Sequence, residues 1–406
     1  MKKGTLVFRL DIRFLRRRSC EHFGGAQSGD LSTRTTRKKI NKIRLQKTSN
    51  RAFLYDLGGY LATGIISICV VISVFAYVIV PDNSVNANQM HLSIHSQSPG
   101  FKVKMLHVPT EANKVQSRLS TLLFGNPSAG NQYPISSYQV EQDGIWIEHF
   151  NFDSPGQQEW FPMTVFNGLA STSEIVDQHI ADHRFVLGTD LFGRDVLSRL
   201  FVGTRISLSI GLISVLISLI VGVIMGSLGG FYGGVVDKIV MWIINVTWSI
   251  PTLLLVIAIS VALGKGFWQV FIAVGLTMWV EVARIVRGQV MSIKNRQYVI
   301  ATQVLGFSTF RILFGHILPN AFGPLVVITA SNFAAAILIE SGLSFLGIGV
   351  QPPIPSWGTM IKDHYQFLVM GKPYLALIPG LAIMLLVSSF MLIGNSLRDR
   401  FDPVKH

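Results

Sequence analysis

Long apolar runs alternate with short polar stretches along most of this chain. Six runs stand out: Leu57–Val80, Ile206–Leu228, Ile239–Leu263, Phe267–Gln289, Ala321–Glu340 and Tyr374–Leu397. At roughly 1.5 Å per residue each is long enough, as a helix, to cross a bilayer core about 30 Å thick. The first is too long and too far from Met1 to read as a cleaved signal peptide. Pro251 interrupts the third and predicts a kink there. Between the first two runs, in segment 81–187, the period shortens to two. Gln89–His95, Phe101–His107, Ser136–Gln142 and Ile145–Asn151 alternate as strands do, and Asp143-Gly144 between the last two predicts a hairpin. Ser171 followed by Glu174 has the spacing of a capping box and predicts a helix to about His183. The expected fold is an all-α polytopic membrane protein of six transmembrane helices with an inserted small β-rich domain. Within the second run Gly222, Gly226 and Gly230 recur every four residues, a small-residue stripe suited to close helix packing.

Composition agrees: 49% of the 406 residues are hydrophobic and only 14% charged, with a mean hydropathy of +0.45. The net charge of +13 is local. Residues 1–51 hold 15 basic and 3 acidic side chains, and the remainder of the chain is close to neutral with 20 and 19. A basic arm directly before a membrane run fits the positive-inside rule and attraction to anionic lipid better than nucleic-acid binding. Val7, Leu10 and Phe14 beside Arg9, Arg13, Arg16 and Arg17 would also suit a short interfacial helix. The charges orient the chain. A basic tail (1–56) belongs in the cytoplasm, and six crossings return Arg398-Asp399-Arg400 in the C-terminal tail (398–406) to the same side. Segment 81–187, with 5 basic and 10 acidic residues, is expected outside. Cys20 and Cys69 cannot form a disulfide framework from these positions.

Several chemistries lack their residues. No GxxxxGK[ST] phosphate loop occurs, and no nucleophile–base or paired-carboxylate arrangement stands out. The runs hold few ionisable groups, which argues against an ion-coupled carrier. Asp237 and Lys238 are expected at the inner end of the third run, Glu281 and Arg284 at the inner end of the fourth, paired one turn apart, and Glu340 at the outer end of the fifth. His91 and His95, on one strand, would lie about 13 Å apart, too far to share an ion. No cofactor or metal is expected on this chain.

The informative loop lies between the fourth and fifth runs, Tyr298–Pro319, within a connection spanning 290–319. Residues 298–305 are helix-compatible, and Gly306 suits the left-handed turn that ends such a helix. Ser308 is a candidate cap for a second helix to Leu318, and Pro319 is expected to break the chain before the fifth run. Ala301 and Thr302 are small enough to admit the close approach of a partner.

This loop resembles the EAA coupling loop of ABC importer permeases: Glu-Ala-Ala, three residues, Gly, then about ten residues to Leu-Pro. The matching positions are Ile300, Ala301, Thr302, Gly306 with its neighbour Phe307, Leu318 and Pro319. Leu187–Arg199 (LGTDLFGRDVLSR) and Gly342–Trp357 (GLSFLGIGVQPPIPSW) resemble signatures of the C-type permease of the dipeptide/oligopeptide/nickel branch. The likeness runs over about Leu187–Pro403, the permease core being 188–397. It implies a type I importer permease fold, a second, B-type permease alongside, one or two ABC ATPase subunits seated on the coupling loop, and a substrate-binding protein outside. The chain would then be a transporter subunit in the bacterial inner membrane, carrying peptides, driven by ATPases on separate chains and not itself an enzyme. One departure is Ile300, where the family has Glu: an apolar docking contact is expected in place of an ionic one. On residues alone, Arg194, Asp195 and Arg199 would be wet, on an amphipathic lead-in helix at the outer surface. The other reading is a membrane-anchored binding or sensory protein whose ectodomain does the work, which leaves the coupling loop without a role.

Overall fold

A computed structural model describes residues 57–109, 118–126, 130–152, 154–166, 172–264 and 266–401. The basic tail with its Val7, Leu10 and Phe14 helix, and the Ser171 cap, lie outside the described residues. Among the described residues, five single helices are long and apolar enough to cross a membrane: α1 (Leu57–Ile79), α4 (Val196–Tyr232), α7 (Phe267–Lys294), the path Thr309–Phe345 that ends in α10 (Phe322–Phe345), and α12 (Tyr374–Phe401). A sixth crossing is available as a broken pair, α5 (Gly234–Ser249) and α6 (Thr252–Leu263), bent by 93° at Ile250-Pro251. Proline lacks the amide that would continue the ladder, so the expected kink is a full break.

Helices α4 and α7 run parallel and form the spine. A Cβ on Gly222 would strike Val282, one on Gly226 would strike Ala283 and Val286, and one on Gly230 would strike Arg287 and Val290. The spacing predicted a close packing contact, within the chain or with a second permease, and the glycine stripe makes it within the chain. Helix α10 returns antiparallel to α4, with Phe333 against Gly211, and Trp357, beyond the end of α10, lies against Gly203. Helix α12 packs on α10 through the stacked Phe333–Phe390 pair, 4.0 Å between centroids. The six passes bring Leu57, Lys294 and Arg398 to one end of the bundle.

The other end carries a five-stranded antiparallel sheet, ordered β4-β3-β2-β1-β5. Its strands are β1 (Phe101–Val108), β2 (Asn131–Glu141), β3 (Gly144–His149), β4 (Gln158–Pro162) and β5 (Ile180–Phe185). The predicted hairpin is present, with Glu141 opposite Gly144. Helix α2 (Arg118–Phe124) precedes β2, and α3 (Thr172–His179) precedes β5. Leu106, Val108, Ile135, Ile145, Ile147, Phe161 and Ile175 bury one face. Val103 and Met105, on the opposite face of β1, pack with Ile94 and Phe185. Two expectations fail here. Gln89–His95 is not a strand: it holds a short 3-10 turn, Leu92–Ile94, because Ile94 turns in to cover Val103. His91 and His95 thus do not share a strand. The predicted helix to His183 stops at His179, and Ile180–Phe185 pairs with β1 as an edge strand. Sheet and bundle belong to one compact unit.

Candidate functional site

At the bundle end away from the sheet, residues 295–321 fold back on the spine. Helix α8 (Gln297–Val304) follows α7 after one turn, and α9 (Thr309–Ile312) follows Gly306. Gly306 has φ +75°, as the turn requires, and the Ser308 hydroxyl accepts from the Arg311 amide at 3.4 Å. One side of this segment is an anchor. Val299, Ile312, Leu313, Ile317 and Ala321 are buried against Phe231, Val286, Val290 and Ile293 of the spine. The opposite side is apolar and bare: Ile300 is 47% exposed, Val304 83%, Leu305 72%, Phe310 69% and Phe314 54%. The Phe310 and Phe314 rings lie 4.3 Å apart, tilted by 34°, and present one continuous aromatic surface.

The expected residues divide between the two sides. Ile300, Ala301, Gly306 and Pro319 are exposed. Thr302 is buried, with its hydroxyl donating to the Val299 carbonyl at 2.7 Å, so it serves the anchor and does not offer a surface to a partner. A threonine in a helix satisfies its hydroxyl on its own backbone, which lets it face inward. Phe307 and Leu318 are half-buried and pack against the anchor. Pro319 does not break the chain. A π turn (Leu313–Ile317) and a 3-10 turn (Leu318–Ala321) carry the helical path past it, the Leu318 amide reaching back to the Leu313 carbonyl. The changed ladder absorbs the amide that proline lacks. Val304, Leu305, Phe310 and Phe314 were not among the expected residues. Their signal was available as apolar residues four apart, 300/304 and 310/314, on helices outside the membrane runs.

The sheet end is built from charge. Asp190 is 1% exposed and Arg194 and Arg199 are each 3% exposed, so the expected wet face is instead a buried knot. No separate lead-in helix exists: Asp195 caps α4 through the Ser198 amide at 2.9 Å, and the helix runs unbroken into the membrane pass. Asp190 accepts the Phe192 and Arg194 amides (2.8 and 2.9 Å) on one oxygen and Arg194 Nε (2.7 Å) on the other, with Arg199 at 3.7 Å. Arg194 also donates to Asn88 at 3.1 Å and approaches Asp363 at 3.9 Å. Sequence reading left these charges in water because their partners are far along the chain.

Three segments meet at this knot: 82–97, 189–199 and 357–374. Thr189 donates to the Ile94 carbonyl and accepts the Gln97 amide. Helix α11 (Trp357–His364) joins through Trp357 Nε1 to the Leu200 carbonyl, 3.0 Å. Lys372 and Tyr374 donate to the Ser96 and Gln97 carbonyls, each at 2.7 Å. Burial pushes His91 down to about 4, with Asp82 opposing and His183 reinforcing that shift. Burial also lowers His183 and His364 and raises the Asp195 carboxyl. Near α4, Asp237 holds Arg287 through two short contacts, 2.5 and 2.6 Å. Arg284 lies over the Trp248 ring at 3.5 Å and donates to Asn245 at 2.9 Å, in place of the expected pairing with Glu281.

Comparison with known proteins adds the following. Residues 208–404 match the model of a family described as binding-protein-dependent transport system inner membrane component. The oligopeptide transport system permease protein OppC of Bacillus subtilis is 45% identical over 222 residues, 55% of this chain and 72% of the relative. The dipeptide transport system permease protein DppC of the same organism is 41% identical over 251 residues, 60% and 78% respectively. The di/tripeptide transport system permease protein DppC of Pseudomonas aeruginosa is 42% identical over 220 residues, 54% and 72%. The family match takes in most of α4, all of α7 and the 295–321 fold-back.

Proposed function

The chain belongs to the family of binding-protein-dependent transport system inner membrane components, and we propose that it works as a permease subunit of an ATP-driven peptide importer. It is a transport subunit rather than an enzyme, with ATP hydrolysis on a separate chain. The reading adds a B-type second permease, so that the pathway lies between two chains, and one or two ATPase subunits. It puts loop 295–321 and both tails in the cytoplasm of a bacterial cell and the sheet outside, next to the substrate-binding protein. The charge asymmetry between the basic tail and segment 81–187 supports that orientation.

One observation carries the mechanism. The bare apolar surface of Ile300, Val304, Leu305, Phe310 and Phe314 stands on an anchor buried in the spine. An exposed apolar patch on a rigid support is what a docking surface requires. ATP-driven closure of the ATPases would push α8 and α9, and the anchor at Val286, Val290 and Ile293 would pass the push to α7. The tight glycine seam would then move α4 with it, opening the pathway to the other side. At Ile300 the contact is apolar, where an ion pair would need a carboxylate. Purification of the complex in mild detergent tests this: the ATPase subunits should accompany the chain, and a cysteine at position 304 should cross-link to one of them. A chain that purifies without any ATPase leaves the surface without its partner and the reading fails.

A further inference from the structure

Glu281, expected toward the inner end of the fourth run, stands near the middle of α7, about 20 Å from either end of this 28-residue helix at ~1.5 Å per residue. Its side chain is exposed, and among the described residues it has no hydrogen-bond or ion-pair partner. A carboxylate on a membrane-crossing helix cannot face hydrocarbon without a large cost, so it faces water or a partner group.

What it faces is a cavity of about 190 Å³ at the break in the α5–α6 pass, lined by Thr247, Trp248, Thr252, Thr277 and Met278 beside Glu281. The pass bends by 93° there. At the end of α5 the Val246 carbonyl accepts the Ser249 hydroxyl at 2.7 Å and the Thr247 carbonyl accepts the Ile250 amide at 3.4 Å, while the first amides of α6 lie past the break. Within a membrane such backbone is tolerated where it lines a cavity holding water or polar solute. The nearby cation, Arg284, is already engaged with Trp248 and Asn245. The cavity therefore presents an unpaired carboxylate beside Thr247, Thr252 and Thr277, a surface for a cation with hydrogen-bond donors.

We propose that this cavity is the point where the pathway holds the α-ammonium of a passing peptide, on the Glu281 carboxylate. The proposal rests on the peptide-importer reading above. An α-amino group has an ordinary pKa of about 7.7–8.0, so it enters the pathway largely charged, with three donors to offer. Charge-assisted hydrogen bonds to Glu281 would replace the water stripped from it on entry.

The test uses the complete complex in proteoliposomes with its binding protein. Uptake of a neutral tripeptide with a free amino terminus is compared with that of its N-acetylated form, and the binding protein's own preference, measured separately, is divided out. Glu281→Gln should cut the remaining preference for the free amine about tenfold, and Glu281→Asp should retain at least half of it. In the unaltered complex, a peptide with a photoreactive first residue should label positions 247–252 or 277–281. That labelling decides the matter even if Glu281→Gln fails to assemble. An unchanged preference in Glu281→Gln, equal loss of both peptides, or labelling of these positions only by a probe at the peptide's last residue overturns the proposal. If the unaltered complex carries neither peptide, the peptide reading itself has failed, and the site falls with it.

Discussion

The two ends of the bundle are stabilised in opposite ways. At the sheet end, charged side chains are buried and joined across nearly three hundred residues of sequence, from Asp82 to Lys372. At the fold-back end, apolar side chains are left in the open over a local hydrophobic anchor. A buried ionic knot fixes geometry, since each member has few alternatives once its partners are in place. A bare apolar surface fixes little by itself and offers its free energy to a partner. The contrast assigns stability to one end and association to the other, and substitutions can separate the two.

The largest loss of stability should come from Asp190→Asn. The new side chain can still accept the Phe192 and Arg194 amides, so the turn survives, but Arg194 and Arg199 lose their central carboxylate. Breaking a buried pair by removing one partner costs about 3–5 kcal/mol. Thermal melting of the purified protein in detergent should show it, with the sheet loosening from the bundle first. A change below about 1 kcal/mol would mean that the knot is wetter than its burial implies.

Acid should weaken the same end. His91 titrates at about 4 in the folded chain against an ordinary 6.5. Between those values the unfolded chain binds a proton that the folded chain refuses, so stability is complete above about pH 6.5 and declines toward pH 4. At roughly 1.4 kcal/mol per pH unit the loss approaches about 3 kcal/mol. Burial lowers His183 and His364 in the same direction. His91→Gln should flatten the profile of melting temperature against pH, and a profile as steep as before would move the cause elsewhere.

How much of this was legible in advance follows the same division. The membrane runs, the hairpin at Asp143-Gly144, the glycine seam and the turn at Gly306 depend on neighbours within a few residues, and each could be read. The bare apolar residues of the fold-back are legible in the apolar spacing of 300/304 and 310/314, which the family positions alone do not mark. The knot was not legible. Arg194 and Arg199 look solvated until Asn88 and Asp363 arrive from distant segments. Strand β5 was misread as helix for a related reason, since pairing with β1 overrides a local helical pattern.

Gly306→Ala gives a smaller and cleaner effect. A Cβ there meets nothing within 4 Å, so the only cost is a left-handed backbone at φ +75°. That amounts to about 1–2 kcal/mol, confined to the turn between α8 and α9. Global melting should hardly move, because the anchor stays buried. Hydrogen exchange of the amides of 305–308 should speed up. A drop in melting as large as that of Asp190→Asn would show that the fold-back supports the bundle and does not merely ride on it.

Phe310→Ala should barely touch stability, within about 0.5 kcal/mol, since an exposed side chain away from any cap or core contributes little to the isolated fold. Its effect should fall on association. An aromatic anchor in an interface commonly contributes 2 kcal/mol or more, so ATPase recovery on the purified chain should drop by tenfold or greater, with Val304→Ser following in the same direction. Ile300→Glu sharpens the point: if the ATPase cleft keeps a basic partner, substrate-stimulated ATP hydrolysis survives the change, and if the cleft has become apolar to suit Ile300, it is lost. Should Phe310→Ala destabilise the chain and leave ATPase recovery untouched, the two ends would have to exchange roles.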